Sequence, residues 1–180
     1  CENCSACISV RVLTKDFLPS KSMKKVLKRN QDLYYAMQPA KVTQEQFELL
    51  RRYLGSRHGE GSMVDMTFEE YQEMVESSTV NTYLVEYRKF IDNALYAVAL
   101  TDHMSDGLSM VYSFFNPEVE TRGLGNYLIL KHIQYCQENN FPYVYLGYWV
   151  QESQKMAYKS RFSPMEMLGP SGWSALKQSL

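Results

Sequence analysis

The sequence predicts an α+β fold in which a mainly antiparallel sheet feeds one long helix. Three observations carry that expectation. Between residues 82 and 115, three runs rich in Val, Leu and Tyr are separated by short polar turns, at Asp92-Asn93 and at 102–107. Residues 122–139 then place apolar side chains at 124, 127, 128, 130, 133 and 135, the spacing of one helix face. Phe141-Pro142 interrupts that pattern and opens a further strand at 143–146.

Taken in chain order, residues 8–13 alternate as a short strand and lead into a basic segment. Thr43 with Gln46, and Thr67 with Glu70, fit the reciprocal capping pattern before an apolar-periodic run, so helices are expected at 43–57 and 67–77. Gly55, Gly59, Gly61 and Ser62 mark a loop between them. The three strands are expected at 82–87, 94–100 and 108–115, and 153–160 reads as helical. Three antiparallel strands, a helix and another strand is the order of a GNAT-type acyltransferase core. The expected division is a small Cys-rich, basic N-terminal subdomain at 1–40 and a GNAT-like transferase domain at 41–180.

With 180 residues the chain can build one good core. A formal net charge of −1 excludes a globally basic nucleic-acid binder but leaves room for a local basic stripe. No apolar run approaches the roughly 20 residues of a membrane span, and the first residues are no signal peptide. Because the chain begins at Cys1 without methionine, residues preceding it are expected to be missing. Four cysteines, three of them at one end, point to a reducing, cytoplasmic setting rather than a disulfide framework.

Cys1, Cys4 and Cys7 stand at two-residue gaps, so three thiolates can converge on a zinc ion or an iron–sulfur cluster. Three ligands are one short of a closed site; the fourth is expected upstream, or less readily from His58 or Cys136. The plainer alternative is a set of reduced thiols without metal. Next, residues 15–29 hold six of the chain's 19 cations, against one acid, Asp16. Lys21, Lys24, Lys25 and Lys28 fall on one helical face beside Arg29, a geometry that suits phosphates. A merely solvated charged face is the competing reading.

Arg122-Gly123-Leu124-Gly125 opens the best helix, where glycines let backbone N–H groups approach an anion. An ordinary tight turn explains it equally. Asp102, His103, Asp106 and Ser109 flank a turn, a setting that often needs aspartate for the turn alone. His103 and His132 are isolated, reading as surface or helix residues. Residues 143–164 gather Tyr143, Tyr145, Tyr148 and Trp149, then Lys155, Tyr158, Lys159, Arg161 and Phe162. Tyr and Trp carry polar tips that need partners, which suits a pocket wall; an aromatic core strand followed by a basic helix is the alternative.

Leu146-Gly147-Tyr148-Trp149, then Ser153, Lys155-Met156, Tyr158-Lys159, Phe162, Pro164 and Glu166, resembles the C-terminal signature of the aminoacyl-tRNA–protein transferases. The three cysteines match in the same order. So do Pro19-Ser20, Ser22, Lys28-Arg29, Thr101-Asp102, Asp106 to Ser109, Val111-Tyr112, Arg122 and Leu124-Gly125. Coverage is nearly complete, with a weak middle from about 42 to 79.

The resemblance implies transfer of an amino acid from its tRNA to the N-terminal Asp or Glu of an acceptor protein, which creates a degradation signal. Leucine is the expected donor amino acid, as in the bacterial branch; arginine would call for an acidic pocket. No cofactor is expected for the chemistry. On this reading Asp102 or Asp106 holds or deprotonates the amine, and Tyr112, Tyr148 and Tyr158 donate to the oxyanion or the departing ribose oxygen. Arg122, Lys155 and Lys159 read the acceptor carboxylate, the turn with Gly125 faces the tRNA acceptor end or the acyl-transfer centre, and Phe114, Tyr145 and Trp149 line the aminoacyl pocket. Lys21, Lys24, Lys25, Lys28 and Arg29 contact tRNA. The competing functions are a CoA-dependent GNAT N-acetyltransferase, for which the glycine turn is short, and a non-catalytic tRNA-binding module, which would leave 143–164 unused.

Overall fold

The structure is a computed structural model that describes residues 6–57 and 65–176. The described residues form one eight-stranded sheet in the order β2-β3-β4-β5-β6-β1-β7-β8. The strands are β1 (Ile8–Leu13), β2 (Leu33–Pro39), β3 (Thr82–Lys89), β4 (Leu95–Met104), β5 (Gly107–Phe115), β6 (Tyr143–Trp149), β7 (Met165–Gly169) and β8 (Gly172–Ala175). The helices are α1 (Lys21–Arg29), α2 (Gln44–Arg57), α3 (Phe68–Glu76) and α4 (Leu124–Glu138). Every recorded strand pair is antiparallel except β5 with β6.

Local sequence explains where the helices begin. Thr43 Oγ1 accepts from the Gln46 N–H, and Gln46 Oε1 accepts from the Thr43 N–H, at 3.2 and 2.9 Å. Thr67 and Glu70 make the same reciprocal pair at the start of α3. Ser20 caps α1 through the Met23 N–H. Each cap satisfies donors that a helix terminus otherwise leaves orphaned.

Ala97, Val98, Ala99 and Leu100 are buried in succession, so both faces of β4 are covered. Alternation along the strands assigns the two layers. Phe114 meets Tyr71 of α3 edge-on, with ring centroids 6.1 Å apart. On the other face Tyr87 meets Tyr127 of α4 at 5.7 Å. A second cluster joins α4 to β1, β6 and β7 through Val12, Ile133, Val144, Phe162 and Met165.

Residues 8–39, expected as part of a separate N-terminal unit, contribute β1 and β2 to this same sheet, with β1 between β6 and β7. The expected strands of 82–115 are present. However, β4 runs on to Met104, so Asp102 and His103 are strand residues rather than turn residues. Residues 153–160 are not one α-helix: turns lead into a 3-10 segment at Ala157–Phe162.

One feature of the sheet positions the site. β5 and β6 are paired only from Gly107↔Tyr143 to Ser109↔Tyr145. A Cβ at position 107 would lie 2.0 Å from the Tyr143 carbonyl oxygen, so only glycine permits this approach. Beyond Ser109 the two strands part. β6 bends toward β1, where Ser9 faces Tyr148 and Arg11 faces Tyr145, leaving Leu146 and Gly147 opposite Val10 alone. Gly147 adopts φ 69°, the backbone such a bulge requires.

Candidate active site

The parting strands open a cavity of about 650 Å³. β5 supplies Met110, Val111, Tyr112 and Ser113 along one side; Leu146 comes from β6, and Lys155, Met156, Tyr158 and Lys159 from the segment after it. The first turn of α4 closes one end with Gly123, Leu124, Gly125 and Asn126. The floor is apolar: Ile129 and Leu146 are each 5% exposed, and Met110 and Met156 are half-buried.

The helix start has no side-chain cap, so the first backbone N–H groups of α4 face the cavity end with the positive end of its dipole. A Cβ at Gly125 would press to 3.3 Å from Phe115 Cε1. Glycine there keeps this end of the cavity wide.

Lys159 crosses the opening. Its Nζ donates to the carbonyl oxygens of Leu146 and Tyr148 at 2.7 and 2.6 Å. Burial lowers its pKa from the ordinary lysine value. The ammonium therefore ties the segment carrying Met156 and Tyr158 to the freed end of β6. Lys155 is exposed at the mouth and makes no ion pair among the described residues. Glu120, also exposed, is the acid among the lining residues. Burial pushes the Tyr112 phenol above its usual pKa, so it remains a hydrogen-bond donor at neutral pH.

Five expected site residues thus meet in one cavity: Tyr112, Gly125, Lys155, Tyr158 and Lys159. Others lie elsewhere. Phe114 is 1% exposed in the core, edge-on to Tyr71 of α3. Arg122 is committed to Asp32, Asn30 Oδ1 and the Arg29 carbonyl, with its guanidinium over the Tyr96 ring. It pins the end of α1 to the turn before α4. Asp102 accepts from Thr82 Oγ1 at 2.6 Å, and Asp106 from the Tyr145 hydroxyl at 2.8 Å. Both carboxylates sit toward the paired end of β5, so neither lines the cavity.

Tyr145 belongs to a different cluster. Arg11 Nη1 donates to its hydroxyl, while the Arg11 guanidinium also pairs with Glu166 and lies 3.5 Å from the Tyr143 ring centroid and 4.2 Å from that of Trp173. Trp149 is buried in the second core and Tyr148 is 60% exposed beside β1. Neither lines the cavity.

Lys21, Lys24, Lys25, Lys28 and Arg29 are all exposed on α1, which is seated against the start of α4. A Cβ on Gly123 would lie 3.6 Å from Val26 Cγ2, so the basic helix flanks the cavity end. Of the cysteines, Cys1 and Cys4 lie outside the described residues, as does His58; Cys7 is exposed at the start of β1. Cys136 is fully buried with its thiol pushed up to about 12, which removes it as a ligand.

Sequence reasoning missed Tyr53, Met110, Glu120, Ile129 and Met156 as cavity residues. In the sequence the apolar ones are indistinguishable from core positions, because only the parting of β5 and β6 exposes them.

Residues 45–169 match the family described as arginine-tRNA-protein transferase, C terminus. The aspartate/glutamate leucyltransferase of Parvibaculum lavamentivorans is 53% identical over 97% of this chain and 72% of its own length. That of Azorhizobium caulinodans is 51% identical over 99% of this chain and 75% of its own length. Among solved structures, L-PGS from Bacillus licheniformis superposes with a TM-score of 0.68 at 12% identity, over 94% of this chain and 58% of its own. A GCN5-related glucosamine N-acetyltransferase region of a fungal multi-domain β-N-acetylglucosaminidase gives 0.55 at 11% identity, over 94% of this chain and 20% of its own. The second of these similarities shows the GNAT-like fold. Given the match at 45–169 and the extent of identity to the leucyltransferases, the chain belongs to the aminoacyl-tRNA–protein transferase family.

Proposed function

We propose that this protein transfers leucine from leucyl-tRNA to the N-terminal Asp or Glu of acceptor proteins, in the cavity between β5 and β6. The observation that carries the reading is the cavity's polarity: an apolar floor of Met110, Ile129, Leu146 and Met156 beneath a mouth bearing Lys155. The floor suits a leucyl side chain. An arginyl donor would call for an acid in the floor, whereas Glu120 is exposed at the rim.

The ester carbon arrives activated, so the task is to hold an amine against it. The acceptor amine attacks the carbonyl carbon, the N–C bond forms and the C–O bond to the ribose breaks. The proton lost by nitrogen ends on the departing ribose oxygen. An α-amino group has a pKa near 7.7–8.0, so a neutral fraction exists at neutral pH without a strong base. Tyr112 donates to the oxyanion. Lys155 pairs with the acceptor carboxylate, and Glu120 attracts its ammonium before deprotonation. The basic face of α1 positions the acceptor stem through phosphates, without reading sequence.

The shared leucyltransferase resemblance and the short glycine turn favour this reading over acetyl-CoA as donor. A zinc ion or iron–sulfur cluster would take Cys7, which precedes β1, together with Cys1 and Cys4, which lie outside the described residues. Transfer assays with labelled leucyl- and arginyl-tRNA and peptides beginning with Asp, Glu or Ala test the proposal. Label on Asp and Glu peptides, from leucyl-tRNA alone, is the expected result. Label from arginyl-tRNA only, or equal label on Ala peptides, would overturn it.

A further inference from the structure

Side chains of successive strand residues point to opposite faces. A cavity lying on one face of β5 would therefore meet every second residue. This cavity meets Met110, Val111, Tyr112 and Ser113 in a row, so it runs along the edge of the strand. On the far edge β4 continues its ladder, with Leu100 opposite Tyr112 and Ala99 opposite Ser113. On the near edge β6 has already left, its last register partner being Ser109↔Tyr145. Among the described residues no strand pairs with Met110, Val111, Tyr112 or Ser113 on the cavity side.

The two edges that the gap creates are treated differently. The β6 edge is closed, since Lys159 Nζ occupies the carbonyl oxygens of Leu146 and Tyr148. The β5 edge is left with its alternate N–H and C=O groups turned into the cavity. An open ladder of this kind is a template for an extended polypeptide.

We propose that the acceptor polypeptide binds by adding its first residues to β5 as an extra strand, main chain to main chain. This rests on the leucyl-transfer reading above. The donor's aminoacyl-adenosine end carries no run of amides and cannot extend a ladder, whereas the acceptor is a polypeptide. Four β5 residues present about 13 Å of edge at roughly 3.3 Å per residue, enough for the first three or four acceptor residues. Main-chain pairing also accounts for a site that can accept many proteins while reading one side chain. Lys155 selects the first residue by charge, and the ladder holds whatever follows it.

A strand in a ladder turns its N–H groups alternately toward and away from the partner. That periodicity is the signature to test. The full protein is assayed with leucyl-tRNA and an Asp-Ala-Ala-Ala-Ala peptide, and with versions N-methylated singly at residue 2, 3 or 4. The expected result is a loss of kcat/KM of about three- to tenfold on alternate positions, as for one hydrogen bond each, with the intervening position within twofold of the parent. An ester in place of the sensitive amide should reproduce the loss without the bulk of a methyl group. Equal tolerance of all three methyl groups, or an equal loss at all three, overturns the added-strand proposal while leaving leucyl transfer in place. Failure to leucylate the unmodified peptide overturns the transfer reading itself.

Discussion

Lowering the pH from 7.5 to 5.0 should destabilise this protein through one buried histidine. His132 is 2% exposed on α4, held between the Leu128 carbonyl oxygen, 2.7 Å from Nδ1, and Thr101 Oγ1, 2.9 Å from Nε2. A carbonyl only accepts, so Nδ1 carries the proton and Nε2 accepts from the Thr101 hydroxyl. The resulting neutral ring is favoured by burial, which lowers its pKa from 6.5 to about 4. The unfolded chain binds the proton at higher pH than the folded one, so stability is complete above about pH 7.5 and is lost as pH falls through 6.5 toward 4. Integrating the linkage relation between the two pKa values gives a loss of about 2 kcal/mol by pH 5.0 and about 3 kcal/mol well below pH 4. Urea unfolding of the wild type and of His132→Gln at both pH values measures it, because the other titrating groups cancel in the comparison. The variant should start less stable at pH 7.5, yet lose about 2 kcal/mol less on acidification. The same pH dependence in both proteins would refute the burial argument.

Lys155→Ala should lower transfer to Asp and Glu peptides by at least tenfold without changing thermal stability, since the side chain is exposed; near-wild-type transfer would remove it from the site. Lys159→Met strands two carbonyl acceptors, so both the unfolding midpoint and kcat/KM should fall, at roughly 1–3 kcal/mol for the lost charge-assisted bonds. Gly125→Val should narrow the cavity against Phe115 and reduce transfer more than it reduces stability, as activity and thermal melts together would report. Replacing Lys24 and Lys28 with Gln should weaken tRNA binding and lower the salt-dependence slope by about 0.7–0.9 per lost phosphate contact; an unchanged slope would release α1 from the tRNA interface.

Much was legible in the sequence because it rests on local physics. The capping pairs Thr43–Gln46 and Thr67–Glu70 fix where α2 and α3 begin, since their bonds span only three residues. Alternation located β1, and helical spacing located α4. The signature Lys155-Met156 to Tyr158-Lys159 led to the wall of the cavity. Strands β2, β7 and β8 were missed; β7 and β8 are short, and β2 is an edge strand whose identity rests on its pairing with β3.

Only the tertiary structure decided the roles within the site, because these depend on long-range neighbours that composition cannot reveal. Arg122, expected to read a carboxylate of the acceptor, is bonded to the carboxylate of Asp32, 90 positions away in sequence. Asp106 and Tyr145 both promised substrate contacts, yet they bond to each other. Met110 and Ile129 looked like ordinary core until the departure of β6 from β5 left a cavity beside them. The sequence by itself determined the family, the fold class and the residue types available for acyl transfer. The packing of distant strands decided which of those residues line the cavity and which are bonded to one another elsewhere in the sheet.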